Sequence, residues 1–163
     1  KRIVFFDTLL SRLQPVEVEA VLAHELGHFT HRHVIKRIAL LFAMSLAFLA
    51  CLGQLIDATW FYRGLGVEAQ NTAMALILFF FVVPVFTFLL TPLMSLLSRQ
   101  HEFEADRYAG EHASADALIK ALVKLYEENA STLTPDSLHS LFYDSHPPAA
   151  LRIARLAQQV HST

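Results

Sequence analysis

Two stretches of this chain contain no charged residue: nineteen positions from Ile38 to Ile56 and twenty-seven from Thr72 to Ser98. As helices rising 1.5 Å per residue they extend roughly 28 and 40 Å, enough to cross a hydrocarbon layer of about 30 Å. A lipid-facing backbone must satisfy its own hydrogen bonds, and a helix does so within one segment. The chain is therefore expected to be a mainly α integral membrane protein with two transmembrane helices and the lipid bilayer as a partner. The competing reading is a soluble helical protein whose core is these two stretches, which predicts extraction without detergent.

Only 17% of the 163 residues are charged, against roughly a quarter in ordinary soluble domains, which excludes a disordered chain or a solvated coiled coil. Thirteen Lys and Arg against fifteen Asp and Glu give a net charge of −2, with no long like-charged run, so no nucleic-acid partner is expected. The single cysteine, Cys51, lies in the first apolar stretch and supplies neither an internal disulfide nor a thiolate zinc set. Lys1-Arg-Ile-Val-Phe-Phe carries no signal-peptide pattern and reads as the interior of a domain, so the chain is expected to be a piece of a longer protein.

Five segments follow. Residues 1–37 are expected to form a short strand at 2–7 and a helix starting at Pro15, where the missing N–H does no harm. Nothing before Gly53 stops that helix, which is expected to run unbroken into the first span, 38–56. Residues 57–71 form a loop, with Trp60, Phe61 and Tyr62 expected as an interfacial aromatic belt and Gly64 and Gly66 turning the chain. The second span, 72–98, is expected to kink at Pro84 and Pro92. Residues 99–163 read as soluble helix: a charged continuation ending near Gly110, a helix capped by Ser114, a shorter one beginning at Thr134-Pro-Asp136, an extended turn at His146-Pro-Pro and a last helix over about 149–161. Arg32, Lys36 and Arg37 before the first span, with Arg99 and Arg107 after the second, place both flanks on the cytosolic side.

His24-Glu-Leu-Gly-His28 matches H-E-x-x-H on an expected helix. Imidazoles at i and i+4 share a face and can bind one tetrahedral zinc, while Glu25 lies where it can act as general base on a water that the metal activates. A catalytic zinc wants a third protein ligand and an open position. The metzincin extension fails, because positions 31 and 34 are His and Val. Glu102, Glu104 and Asp106 remain at the exit of the second span, with Arg99, Glu102 and Asp106 on one face and Glu104 about 200° from Glu102. Glu102 is taken as the ligand and Asp106 as the acceptor that fixes a ligand histidine's tautomer. His31, His33 and His101 are alternative ligands but are expected in water or among lipid headgroups. His146, held ahead of two prolines, is placed to stabilise an oxyanion.

Lys1-Arg-Ile-Val-Phe-Phe-Asp-Thr-Leu-Leu, Glu19-Ala-Val-Leu-Ala-His-Glu-Leu-Gly-His, Ser98-Arg-x-x-Glu-x-x-Ala-Asp106 and Ser145-His-Pro-Pro together resemble the type I CAAX prenyl endopeptidases, zinc metallopeptidases of membranes. The resemblance covers nearly the whole chain in the same order. It implies a helical membrane zincin of the gluzincin type, with a short N-terminal strand and two transmembrane helices. It further implies zinc ligands His24, His28 and Glu102, catalytic Glu25, a supporting Asp106, and substrate or transition-state contacts from His146 and Arg152. Cleavage near the C-terminus of prenylated CAAX proteins would follow, with a peptide or protein substrate, in the endoplasmic reticulum or a bacterial inner membrane. In that family further membrane helices precede this region. Heat-shock-induced membrane metallopeptidases share H-E-x-x-H and the downstream glutamate, but the DTLL and SHPP segments favour the prenyl-protease type. A non-catalytic scaffold, in which zinc ties two helix ends together, is the remaining alternative.

Overall fold

The computed structural model describes residues 11–128 and 136–162, so the strand expected at residues 2–7 lies outside the described residues. Among these, the regular structure is helical throughout: α1 (Pro15–Thr30), α2 (His33–Leu55), α3 (Thr59–Gly64), α4 (Thr72–His112), α5 (Ala115–Glu128), α6 (Ser137–Tyr143) and α7 (Ala149–Ser162). The chain divides into one unit made of residues 1–34 and 92–163 and another made of residues 35–91.

In the first unit, α1 opens with Pro15 at its first position, and the Gln14 amide donates to Glu17 Oε2 at 2.8 Å. The unbroken helix expected from Pro15 into the first span is not what forms. α1 stops at Thr30, and Arg32 adopts φ 55, making it the one non-glycine residue described with positive φ. The His31 and Arg32 amides close the end on Gly27 O and Phe29 O, each at 3.0 Å. Left-handed backbone costs a non-glycine residue about 1–2 kcal/mol, so tertiary contacts must hold this break. They are found at the metal centre described below.

The core of this unit is built from small residues. Ala20 and Ala23 of α1, Ala109 of α4, Ala117, Leu118 and Leu122 of α5 and Leu156 of α7 form one buried cluster, with α5 packed on both α1 and α7. At Gly27 α1 lies tight against α4: a Cβ added there would meet Ala105 Cα at 2.9 Å and Tyr108 Cβ at 3.1 Å. The capping signals act as read: Ser114 Oγ accepts from the Ala117 amide at 3.2 Å and Asp136 Oδ1 from the His139 amide at 2.9 Å. Gly110, expected to end the charged helix, does not; α4 continues to His112, because a single glycine weakens a helix without stopping it.

In the second unit Tyr62, 1% exposed, packs with Leu52, Phe61, Ala75 and Phe79, and its hydroxyl donates to Ile56 O at 2.7 Å. The expected aromatic belt is therefore reduced to Trp60, which is exposed, whereas Phe61 and Tyr62 fill a core. Gly66 takes φ 75 in the turn after α3, and Asn71 Oδ1 accepts from the Met74 amide at 2.9 Å to start α4.

α2 and α4 are each long and apolar enough to cross a membrane, and only 6% and 11% of their apolar windows are buried. Core helices of a soluble protein would be covered, so these two stretches do not form the core that the soluble reading requires. With α4 continuous through Pro84 and Pro92, this is the layout of an integral membrane protein.

Candidate metal centre

The site lies within the first unit and draws on α1, α4, the turn before α7 and α7 itself. Helical spacing puts His24 and His28 on one face of α1, with their Nε2 atoms 3.2 Å apart. Glu102, one turn before Asp106 on α4, brings Oε1 to 3.4 Å from His28 Nε2 and Oε2 to 3.7 Å from His24 Nε2. These three residues form the one group of potential ligands found among the described residues.

The distances test a metal directly. At zinc–ligand lengths of about 2.0–2.1 Å, the edge of a coordination tetrahedron is about 3.3–3.4 Å. The two imidazole nitrogens stand 3.2 Å apart, close to that edge, and the Glu102 carboxylate faces them with a different oxygen toward each, at 3.4 and 3.7 Å. Two imidazole nitrogens and a carboxylate oxygen converging in this way form a donor set of borderline-soft character that suits zinc.

The surroundings hold these groups in place. Asp106 Oδ1 lies 2.9 Å from His24 Nδ1 without an aligned hydrogen bond. Arg152 of α7 grips Asp106 with two bonds, Nε to Oδ2 at 2.8 Å and Nη2 to Oδ1 at 2.6 Å. Its Nη1 reaches Glu102 Oε2 at 3.3 Å. Two carboxylates and one guanidinium are thus buried together, leaving one negative charge that a cation would neutralise. Both acids lie beyond the uncharged stretch of α4. Burial pushes the Glu102 carboxyl up, but bonds from His146 and His28 and the charge of Arg152 outweigh it and hold it well below the ordinary carboxylate range. Asp106 is lowered in the same way, His24 and Arg152 overcoming its burial.

His146 Nδ1 stands 3.1 Å from Glu102 Oε1 with most of its ring exposed. The Pro147 beside it is fully buried, and Tyr126 Oη donates to Pro147 O at 3.4 Å, so the turn is pinned under an open imidazole. Glu25 is exposed between the two histidines of α1. Arg152, expected to contact substrate, is buried and paired with Asp106 and Glu102. The structure thus brings together His24, His28, Glu102, Asp106, His146 and Arg152, with Glu25 open to solvent.

One residue's place escaped the sequence reading. His33, expected in water or among headgroups, is 4% exposed. Its Nδ1 lies 2.9 Å from His28 Nδ1 and its Nε2 lies 2.8 Å from Glu104 Oε2. On a continuous helix, position i+5 falls about 140° from position i; the break at Arg32 returns His33 to His28, and no local signal announced it.

A helical membrane protein with two histidines from H-E-x-x-H and a carboxylate from a later helix has the design of a membrane zincin. The model of Peptidase family M48 matches residues 1–160, and the chain belongs to that family. It is 37% identical over 156 residues to the CAAX prenyl protease 1 homolog of Arabidopsis thaliana, covering 94% of this chain and 36% of that protein. It is 34% identical over 176 residues to CAAX prenyl protease 1 of Saccharomyces cerevisiae, covering 96% and 38%. The crystal structure of S. mikatae Ste24p, 29% identical, superposes with a TM-score of 0.83 over 95% of this chain and 39% of that one. The chain thus spans under two fifths of the length of these relatives.

Proposed function

We propose that this chain carries the catalytic centre of a zinc-dependent membrane endopeptidase, with His24, His28 and Glu102 as zinc ligands. The observation that supports this most is the convergence of the two imidazole nitrogens and the Glu102 carboxylate, one ligand atom of each lying within 4.8 Å of the others. Among the described residues no fourth His, Cys, Asp or Glu joins the group. An open position suits catalysis, whereas a structural zinc that merely ties helices together is closed by four protein ligands. When bound, zinc would polarise the scissile carbonyl and lower the pKa of a water.

The chain's own residues supply the remainder. Glu25, exposed beside both histidines, takes the proton of the attacking water and delivers it to the leaving amine. His146, turned with Nδ1 toward Glu102, presents the other edge of its ring to the oxyanion of the tetrahedral intermediate. Asp106 stands beside His24 Nδ1, where a small ring rotation would let it accept the Nδ1 hydrogen, and Arg152 fixes both carboxylates. The names of the relatives in Arabidopsis and Saccharomyces support a prenylated CAAX-type protein as substrate, and the cut is proposed near its C-terminus. The positive flanks of the two spans support an active face on the cytosolic side, of the endoplasmic reticulum or of a bacterial inner membrane.

The test is Glu25→Gln in the intact, detergent-solubilised protein. Cleavage of a prenylated peptide is expected to fall by a factor of about a hundred or more, as for loss of a general base, with one zinc per molecule retained. Undiminished cleavage would remove Glu25 from the mechanism, and absence of zinc from the unsubstituted protein would remove the metal.

A further inference from the structure

His33 is a buried histidine that the mechanism does not use, and it contacts His28, Glu104, His101 and His31. Its Nδ1 meets His28 Nδ1 at 2.9 Å and its Nε2 meets Glu104 Oε2 at 2.8 Å. Its ring lies parallel to His101 within 13°, the centroids 4.1 Å apart, and parallel to His31 at 5.5 Å. The protonation pattern follows from the contacts. If His28 offers Nε2 to the metal, as the reading above has it, its Nδ1 must carry the hydrogen. His33 Nδ1 must then accept, so His33 bears its hydrogen on Nε2 and donates it to the Glu104 carboxylate. One tautomer of each ring satisfies every nitrogen in the series, and the acid at its end fixes the orientation of the two rings.

We propose that His33 is a positioning residue for the metal centre, its Nδ1 accepting from His28 and its Nε2 anchored by Glu104, and that the left-handed Arg32 exists to place it there. The inference rests on His28 being a metal ligand. It also explains two features left over. Glu104 points away from Glu102 on α4, yet serves the same site from the other side. The strained break at Arg32 gives His33 a position that an unbroken helix would deny it.

Zinc affinity, measured by chelator competition on the purified intact protein, separates the possibilities. His33→Ala is expected to weaken zinc binding about 10- to 100-fold, the usual range for removing a ligand's outer partner. His33→Asn, whose Oδ1 can replace the lost acceptor, should recover most of it. Glu104→Ala touches no ligand and leaves a half-exposed position, so it should fold, and it should still weaken zinc several-fold. Because the two residues act in series, His33→Ala/Glu104→Ala should bind no worse than His33→Ala alone. Affinity unchanged in both single variants, or losses that simply add, would overturn the proposal. If His33→Ala fails to fold, the Asn and Glu104→Ala variants decide by the same criterion. A protein that binds no zinc before substitution overturns the metal reading and this one together, whereas tight binding indifferent to His33 and Glu104 overturns this one alone.

Discussion

The two units of the molecule solve opposite problems. In the first, charged groups are inside: Glu17, Glu102, Asp106 and Arg152 are buried, each matched to a partner, among alanines that let helices approach. In the second and along the apolar part of α4, the large hydrophobics are outside: Phe80 is 71% and Phe81 78% exposed. Water as solvent punishes the second arrangement, and a bilayer punishes unmatched polarity. The contrast teaches that each unit is ordered against a different solvent, and that the polar interior of the first is tolerable because its charges are paired, save the one negative charge at the centre that a cation would neutralise.

The strongest way to break that contrast is to remove one answer. Arg152→Ala leaves Glu102 and Asp106 buried without their guanidinium, and breaking a buried ion pair in this way costs about 3–5 kcal/mol. Thermal unfolding in detergent should show a loss of that order, larger in chelator than with zinc present, since the metal supplies replacement positive charge. A variant as stable as the parent in chelator would mean that the acids are not charged in the fold. On the other unit, Phe81→Arg probes the solvent directly. On a surface in water such a change is close to neutral, but at the middle of a membrane helix an arginine costs about 2.5–3.5 kcal/mol. Reduced membrane insertion is expected, with Phe81→Leu unaffected; equal insertion of both would place that face in water.

A smaller loss is expected at the contact between α1 and α4. Gly27→Ala adds one methyl that meets Ala105 Cα at 2.9 Å, and overpacking of this kind costs about 1–3 kcal/mol. Because α1 carries both histidines and α4 carries Glu102, the shift should also lower zinc affinity, read by the same chelator competition. Loss of stability with zinc binding intact would show that the glycine serves packing alone.

These cases also show what could be read before the structure. H-E-x-x-H, its spacing on a helix and the shared face of Glu102 and Asp106 are local properties, set by the 3.6-residue period, and the caps at Ser114 and Asp136 follow from side-chain chemistry within three residues. The helix break at Arg32 was not legible, because no glycine or proline stands there to mark it. What enforces it is the pairing of His33 with His28 and with Glu104, 71 positions away. Arg152 was legible only through resemblance; its commitment to two acids depends on α7 packing against α4, which no spacing reports. Phe61 and Tyr62 suit an interface by composition, and only the turn after α3 reveals that they face inward.

The mildest test concerns Glu17, the buried acid farthest from the metal in purpose. Lys124 Nζ lies 2.8 and 2.6 Å from its two oxygens, and the Gln14 amide donates to it as well. The Lys124 bond, then the Gln14 amide, hold the Glu17 carboxyl below its usual value, against the opposing effect of burial. A carboxyl depressed in the folded state contributes stability above its unfolded value of about 4.3, and that contribution is lost as the pH falls through the lower folded value. Glu17→Gln keeps the shape and the bond to Gln14 but removes the charge. The parent should therefore melt above the variant at neutral pH, by a modest margin because Lys124 is partly exposed, and the gap should close as the pH is taken below about 4. A gap that stays constant to low pH would mean that Glu17 acts by packing and not by charge, and that the interior of the first unit holds one acid whose ionisation does not matter.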